Sequence, residues 1–205
     1  MQVVELEVLT GTNNTYIDRS VCPSGLHHDA ILAFLRLQQS ALVAGFELAV
    51  ASSFRSFDRQ LLIWNEKATG KRPLYDEGGE LLVFEELAPW PLAQAILRWS
   101  ALPGASRHHW GTDLDVYDRA AVPLDYQVQL SPAEVNAGGP FHAMHDWLDQ
   151  QLAADNAEGF FRPYELDRGG VAPERWHLSY APLAADLQQQ LSIRWHYLYK
   201  LYCIC

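Results

Sequence analysis

The chain has little of what marks a membrane protein, a disulfide-rich secreted protein or a nucleic-acid-binding protein. Its three cysteines, Cys22, Cys203 and Cys205, cannot all pair with one another, which excludes a disulfide framework and favours a reducing compartment. No run approaches the roughly 18 apolar residues that a membrane span requires. The net charge of -10 argues against non-specific nucleic-acid binding, because such binding needs a basic surface.

Targeting and repeat signals are absent as well. Residues 1–7 lack the basic start and the apolar stretch of a secretory signal, and the sequence contains no internal repeat or low-complexity tract. We therefore expect a cytoplasmic protein, or a periplasmic or extracellular one if its signal is missing from this sequence. With 205 residues, 49% of them hydrophobic, the chain is long enough for a single domain, residues 1–205, with a substantial core.

Hydrophobic periodicity predicts a mixture of helices and short strands. Asp29 is expected to cap a helix that stops at Gly45, residues 1–25 to be irregular, and residues 70–91 to form a lid or a small hairpin. Further helices are predicted over 57–67, about 92–101, 140–153 and about 182–202, and strands over 46–52, 112–117, 160–161 and 176–180. This order predicts an α+β fold in which helices are segregated from a small, mainly antiparallel sheet.

Residues 106–115 concentrate imidazoles and carboxylates around a glycine. His108 and Asp115 are seven positions apart, so on one unbroken strand they would face opposite ways. Gly111 permits a bend that brings both side chains to the same face. Taken alone, this stretch is equally consistent with a polar loop whose histidines are exposed.

Residues 174–180 supply a second imidazole. Large apolar side chains alternate with His177, which predicts a half-buried strand with the histidine on the face opposite Trp176. Glu174, after a proline, can turn to the side that His177 faces. Alone, this pattern more often marks a histidine satisfied in the core.

Residues 52–60 place an arginine between a predicted strand and a predicted helix. From such a junction the guanidinium of Arg55 can reach a carboxylate or a developing oxyanion, although a surface ion pair is the commoner role. The three segments together offer two histidines, an aspartate and a spare glutamate. Those are the parts of a catalytic zinc site, in which three ligands hold the metal and a free carboxylate takes a proton from water.

In order, spacing and residue type, the three segments resemble the zinc D-alanyl-D-alanine carboxypeptidases and dipeptidases of the VanY type. That family's pattern runs Ser-x-Tyr-Arg-Ser-x-x-x-Gln, then Ser-x-His-x-x-Gly-x-Ala-x-Asp, then Glu-x-Trp-His-x-x-Tyr. The matching segments here are residues 52–60, 106–115 and 174–180. The resemblance covers residues 26–182, which leaves 183–205 as a C-terminal helical extension. It implies a hedgehog/D,D-peptidase-like fold with helices packed on one side of the sheet.

The resemblance also implies roles for individual residues. One zinc ion per chain would be held by His108, Asp115 and His177. Glu174 would be the general base, and Arg55 would stabilise the carbonyl oxygen as it becomes an oxyanion. The two motif positions expected to bind substrate are Gln60 and Ser106.

The implied activity is removal of a C-terminal D-amino acid from a peptidoglycan-derived peptide. The same scaffold hosts D,D- and L,D-carboxypeptidases, D,D-dipeptidases and endopeptidases, and the sequence does not separate them. A non-catalytic zinc-binding module of the same fold is the alternative from another functional class. The unliganded carboxylate of Glu174 favours an enzyme. The sequence contains no indication of oligomeric state.

Two residues depart from the family pattern. Phe54 replaces a tyrosine, so any contact of that hydroxyl is lost. Asp113 replaces an alanine and shares a strand face with Asp115. It is expected to accept a hydrogen bond from a ligand histidine, to contact a substrate amine, or to compete as a ligand.

Other histidines and cysteines are weaker candidates for a metal. His109 is the neighbour of a predicted ligand, and adjacent residues seldom bind one ion. At residues 27–29, capping of a helix explains His-His-Asp better than a metal does. His142 and His145 share a helix face and are expected to be surface or partly buried structural residues. Cys203, Cys205 and His196 are expected to belong to a frayed terminus, and the aromatic run 195–199 to pack on the core.

Overall fold

The structure, a computed structural model, describes the backbone of residues 3–202 and the side chains of residues 3–194. Within this range the α-helices are α1 (Leu6–Leu9), α2 (Ile31–Val43), α3 (Phe57–Ala68), α4 (Pro89–Trp99), α5 (Pro132–Val135), α6 (His142–Ala153) and α7 (Ala181–Tyr202). The β-strands are β1 (Ile17–Asp18), β2 (Leu26–His27), β3 (Leu48–Ser52), β4 (Asp113–Asp118), β5 (Phe160–Phe161) and β6 (His177–Tyr180).

The strands form two antiparallel sheets. A small one pairs β1 with β2, and the main sheet has the order β3-β4-β6-β5. The prediction of an α+β fold with a small antiparallel sheet is confirmed. In the main sheet, β4 lies between β3 and β6. The three motif segments, which contain residues 52, 115 and 177, therefore become neighbours.

The two faces of β4 and β6 differ in character because side chains alternate along a strand. Leu114, Val116 and Leu178 are fully buried on one face and pack against α2 and α6 in the main core. The other face carries Asp115 and His177, which are also buried. The predicted half-buried strand at 176–180 is therefore wrong in this respect: β6 is central in its sheet and covered on both faces.

A β-bulge in β3 determines which residue stands next to Asp115. Val50 pairs with Val116 on the core face, and the next pairing is Ser52 with Asp115. One extra residue on β3 thus reverses the alternation and moves Ser52 to the polar face. Without the bulge, Ser52 would follow Val50 into the core.

A second apolar cluster lies behind the polar face. Trp110 is buried among residues of α1 and α7, and its indole Nε1–H donates to the carbonyl oxygen of Leu9 at 3.1 Å. The prediction that residues 1–25 are irregular is wrong, because α1 and β1 lie there. Elements of four and two residues are too short to show a periodicity in sequence.

Three local features differ from the predictions: the start of α4, the cap before α2 and the presence of α5. Helix α4 begins at Pro89 instead of about 92, because a proline in the first turn is preset for helical φ. Helix α2 begins after Ala30 without a side-chain cap, so Asp29 is not its cap. Instead, His27 caps the 3-10 turn His28–Ala30 that precedes α2, because its Nδ1 accepts a hydrogen bond from the backbone of Asp29. Helix α5, which was not predicted, has a capping box at its start. The carboxylate of Glu134 accepts a hydrogen bond from the Ser131 backbone N–H at 3.0 Å.

The remaining predictions concern the segment 70–91, the cysteines, the C-terminal residues and the membrane. The segment 70–91 contains a small hairpin, in which Tyr75 pairs with Leu81. Cys22 is buried and free. The side chains of residues 195–205, including the aromatic run, His196 and the two C-terminal cysteines, lie outside the described part of the chain. No helix in the described range is both long and apolar enough to span a bilayer.

Candidate metal centre and active site

The pairing of β4 with β6 brings two of the predicted metal ligands face to face. Asp115 is the cross-strand partner of His177, and Asp113 is the partner of Ser179. Directly paired residues of antiparallel strands project to the same face, where their Cβ atoms are close. The register therefore gathers four polar side chains, from two strands that are distant in the chain, into one buried patch.

His108 reaches the same patch from a 3-10 turn, Arg107–Trp110. Gly111 ends the turn with φ +68°, a left-handed conformation that glycine adopts without strain. A Cβ at this position would lie 2.9 Å from the backbone nitrogen of His27 and closer still to Ile17. The predicted bend is present, and it places His108 beside Asp115.

The donor atoms of the three predicted ligands lie within 4.8 Å of one another, close enough to hold one metal ion. His108 Nε2 lies 3.4 Å from Asp115 Oδ2, and His177 Nδ1 lies 3.3 Å from Asp115 Oδ1. Ligand atoms about 2.0 Å from a zinc ion in a tetrahedral site would be separated by about 3.3 Å. All three side chains are buried, and Asp115 Oδ1 and His177 Nδ1 have no hydrogen-bond partner among the described residues. These residues fit a divalent cation.

Each imidazole is oriented by a hydrogen bond on its far side. The Nδ1–H of His108 donates to the carbonyl oxygen of Ser53 at 2.8 Å, which leaves Nε2 for the metal. In His177 the roles are reversed, because Nε2 lies 2.9 Å from Asp113 Oδ1 and Nδ1 faces Asp115. Such partners fix the tautomer and the ring orientation of a metal ligand.

Asp113 contacts the predicted ligand His177, which corresponds to the first of its three predicted roles. Its side chain is fully buried, which excludes a contact with substrate. Arg107 Nε donates to Oδ1 at 2.7 Å, and the hydroxyls of Thr112 and Ser179 donate to Oδ2 at 2.8 and 3.0 Å. Burial raises the pKa of Asp113, but the contacts with His177 and Arg107 outweigh it and leave the pKa below its ordinary value.

Glu174 lies beside the ligands and lines a cleft of about 290 Å³. Its Oε2 is 3.2 Å from His177 Nδ1, and its backbone N–H donates to the carbonyl oxygen of Tyr164 at 2.9 Å. Burial raises the pKa of the carboxyl above its ordinary value. A carboxyl in this position is suited to accepting and returning a proton.

Arg55 is held in the wall of the cleft by neutral partners. Its Nη1 donates to Gln60 Oε1 at 2.9 Å and its Nη2 donates to Ser52 Oγ at 3.1 Å. Its backbone N–H donates to the carbonyl oxygen of His108 at 3.0 Å, and its own carbonyl oxygen accepts from His109 Nδ1 at 2.6 Å. Arg55 and the predicted ligand His108 are thus connected through the backbone by a hydrogen bond.

The remaining predicted residues divide between the cleft and the interior. Ser106 lines the cleft. Gln60 is fully buried behind Arg55, and its Nε2 donates to the carbonyl oxygen of Ala101 at 2.6 Å, so the structure shows it positioning the arginine. His109 is structural, because its Nε2 accepts from the Gly104 N–H at 3.0 Å while Nδ1 contacts Arg55.

The protonation states of the two ligand histidines differ in the metal-free protein. Burial lowers the pKa of His108 to about 3, so its imidazole is neutral. Burial would also lower the pKa of His177, but the carboxylates around it raise that pKa well above its ordinary value. These carboxylates are Asp113, Asp115 and Glu174. A metal ion bound at Nδ1 would therefore have to displace a proton from His177.

Several cleft residues were not identified from the sequence. Lys67 of α3 and Trp99 of α4 line the cleft together with Arg107. Lys67 is seven positions after Gln60 on α3, and that spacing is the signal that could have placed it on the same helix face. Trp99 stacks on Trp176 with ring centroids 6.3 Å apart.

The other histidine groups are separate from this centre. Donor atoms of His27, His28 and Asp29 come within 4.8 Å of one another, but only His27 is buried and its Nδ1 already serves as a cap. His145 is fully buried in α6, more deeply than predicted, and His142 faces Asp146 at 3.2 Å.

Comparison with known proteins identifies relatives of this chain. Two uncharacterised proteins of Haemophilus influenzae are 45% and 38% identical to it over 100 and 92 residues, which are 47% and 44% of this chain and 68% and 69% of theirs. Among solved structures, VanYB in complex with D-alanine-D-alanine has a TM-score of 0.58 at 19% identity and covers 90% of each chain.

Two further solved structures have the same fold. A variant of the vancomycin resistance D,D-pentapeptidase VanY in complex with Zn(II) has a TM-score of 0.57 at 20% identity, over 85% of this chain and 86% of that one. The LD-carboxypeptidase LdcB has a TM-score of 0.53 at 24% identity, over 80% and 64%. The family model of the VanY D-alanyl-D-alanine carboxypeptidases matches residues 23–183, which is most of the chain. The protein therefore belongs to the VanY family of D-alanyl-D-alanine carboxypeptidases.

Proposed function

We propose that the protein is a zinc-dependent carboxypeptidase that removes the C-terminal D-amino acid from peptidoglycan-type peptides. The observation that carries this proposal is the position of Glu174. Its carboxylate lies 3.2 Å from the ligand atom of His177, inside the cleft, yet is not one of the three converging ligands. A site that served only to bind zinc would not need a partly buried carboxylate there.

His108, Asp115 and His177 would hold the zinc ion through Nε2, a carboxylate oxygen and Nδ1 respectively. A bound zinc ion supplies Lewis acidity, which polarises the scissile carbonyl and makes an adjacent water more acidic. The hydrogen bonds from His108 to Ser53 and between His177 and Asp113 keep both imidazoles aimed at this position before substrate arrives.

Glu174 moves the proton. Its raised pKa allows the carboxylate to take a proton from the attacking water and to pass it to the amine that leaves. The backbone hydrogen bond to Tyr164 fixes the position of Glu174. The ring of Tyr164 packs edge-on against the ring of His177, with centroids 5.0 Å apart.

Arg55 stabilises the negative charge that forms on the carbonyl oxygen. Its guanidinium faces the cleft with neutral partners only, so its charge is available to an oxyanion. Gln60 holds the guanidinium from behind. Ser106, which lines the same cleft, would contact the substrate backbone.

The solved structures support the substrate class. VanYB was solved in complex with D-alanine-D-alanine, and a VanY variant was solved in complex with Zn(II). LdcB is an LD-carboxypeptidase that recognises peptidoglycan. The architecture of the present site is compatible with a terminal D-residue after either a D- or an L-centre.

A release assay tests the proposal. Purified protein loaded with zinc, with and without chelator, is incubated with peptides that end in D-Ala-D-Ala or in one D-Ala after an L-centre. Mass spectrometry should detect loss of one terminal residue, which chelator abolishes and zinc restores. Binding of zinc without cleavage of either peptide would identify a non-catalytic module, and cleavage at an internal bond would identify an endopeptidase.

A further inference from the structure

Helix α3 presents a lysine to the cleft in a defined position. Gln60 and Lys67 are seven residues apart and therefore lie on one face of the helix. Gln60 Nε2 donates to the carbonyl oxygen of Ala101, and Lys67 Nζ donates to Ser100 Oγ at 2.7 Å. These two bonds fasten α3 to the segment after α4 and hold the ammonium group at the cleft wall.

Lys67 has no carboxylate partner among the described residues. Its neighbour Glu66 is paired with Arg72. Desolvation in the cleft and the charges of Arg55 and Arg72 lower the pKa of Lys67 to about 8, which leaves it mostly protonated at neutral pH. The charge of Glu174 opposes this lowering, but no carboxylate among the described residues is paired directly with the ammonium group. A half-buried cation without an ion-pair partner is costly to maintain, and an anionic ligand would relieve that cost.

The lining of the cleft carries groups of both signs. Arg55 and Lys67 are cationic and have only neutral hydrogen-bond partners among the described residues. The predicted metal ligands and Glu174 line the same cleft. A peptide whose scissile carbonyl lies between the metal site and Arg55 would bring its next charged group, the terminal carboxylate, against a cation of this lining.

We propose that Lys67, assisted by the hydroxyl of Ser100, binds the terminal carboxylate of the substrate and so makes the enzyme an exopeptidase. The inference rests on the proposed function, because it assigns the end of the peptide to a subsite of the same cleft. Ile63, one turn before Lys67, also lines the cleft and offers an apolar surface to a small terminal side chain such as that of alanine.

The test compares zinc-loaded wild type with Lys67→Met, Lys67→Arg and Lys71→Met on one peptide with a free terminal carboxylate and on its C-terminal amide. Lys71→Met is the matched control, because it deletes the same charge from an exposed residue four positions along. Wild type should prefer the free acid. A charge-assisted hydrogen bond contributes about 1.5–3 kcal/mol, so Lys67→Met should lower kcat/KM for the acid by about 10- to 100-fold.

The loss should appear mainly in KM, and the amide should be cleaved equally by wild type and Lys67→Met. Lys67→Arg should restore most of the preference for the acid, and Lys71→Met should retain all of it. An unchanged ratio of acid to amide in Lys67→Met would overturn the assignment while leaving the carboxypeptidase activity established. Failure of the wild type to cleave either peptide would instead refute the proposed function itself.

Discussion

The carboxylate of Asp113 lies 2.9 Å from Nε2 of His177, on the side of the imidazole opposite Asp115. His177 is therefore held between two aspartates of the same strand, one of which would share the metal while the other would not. Asp113 is itself fixed by Arg107 and by two hydroxyls. The departure from the family's alanine at this position thus creates a buried network behind a ligand.

Asp113→Asn should weaken zinc binding by about 10- to 100-fold, because the amide is a poorer acceptor for the imidazole of His177 and leaves Arg107 without its counter-ion. Competition with a chromophoric chelator measures the affinity. Asp118→Asn is the matched control, since Asp118 is also buried on β4 but accepts only from the backbone of Glu47 and Ala120. Equal affinities in wild type and Asp113→Asn would contradict the assigned role.

Glu174→Gln should bind one zinc ion per chain and lose turnover by about 10²- to 10⁴-fold, because the amide cannot accept a proton from water. Metal content is measured by elemental analysis and turnover by release of the terminal residue. Glu165→Gln makes the same chemical change at an exposed position and should leave both quantities unaltered. Wild-type turnover in the Glu174→Gln variant would show that another group is the base.

Gly111→Ala should lower both stability and zinc affinity. A left-handed conformation costs a non-glycine residue about 1–2 kcal/mol, and here the new Cβ would also press against the backbone of His27. Gly45→Ala provides the control, because Gly45 has φ +93° with nothing within 4 Å of its Cβ position. Urea unfolding should show a larger loss for Gly111→Ala than for Gly45→Ala. Equal losses would mean that contacts with His27 and Ile17 do not matter.

His145 should make the metal-free protein sensitive to mild acid. Burial lowers its folded-state pKa to about 3, whereas an unfolded histidine titrates near 6.5, so stability is lost as the pH falls from about 6.5 towards 3. Between pH 7 and pH 5 the loss from this group is about 2 kcal/mol. Urea unfolding in excess chelator should show that His145→Leu removes this part of the pH dependence. Replacement of the exposed His28 by glutamine should preserve it.

The local patterns were sufficient to predict most longer elements, whereas the metal triad was predicted from the resemblance of three motifs to a known family. Helices α2, α3, α6 and α7 have apolar periodicities that a sequence displays directly, and Gly111 marks the turn that allows His108 to approach Asp115. The residue that forms a hydrogen bond with each predicted ligand could not be predicted from local patterns. Asp113 had three predicted roles because two residues on one strand face are equivalent until the register of β6 places His177 between them.

Long-range packing also determines which motif residues meet substrate. Gln60 belongs to the same motif as Arg55, but the segment after α4 covers it, and only the fold shows that it positions the arginine. Lys67 carries no motif and gains its place in the cleft from the contact of α3 with Ser100. The short elements α1 and β1 were missed because four and two residues show no periodicity of their own. Helix α1 packs on Trp110, and β1 pairs with β2.

The strand order has a consequence for the time at which the chain acquires its metal. His108 and Asp115 lie near the middle of the chain, but His177, 64 residues after Asp113, joins them only when β6 pairs with β4. A nascent or partly folded chain that lacks this pairing offers two ligands at most, and such a chain binds zinc weakly. Tight zinc uptake would therefore report completion of the central strand pairing, and it follows folding of the sheet instead of initiating it.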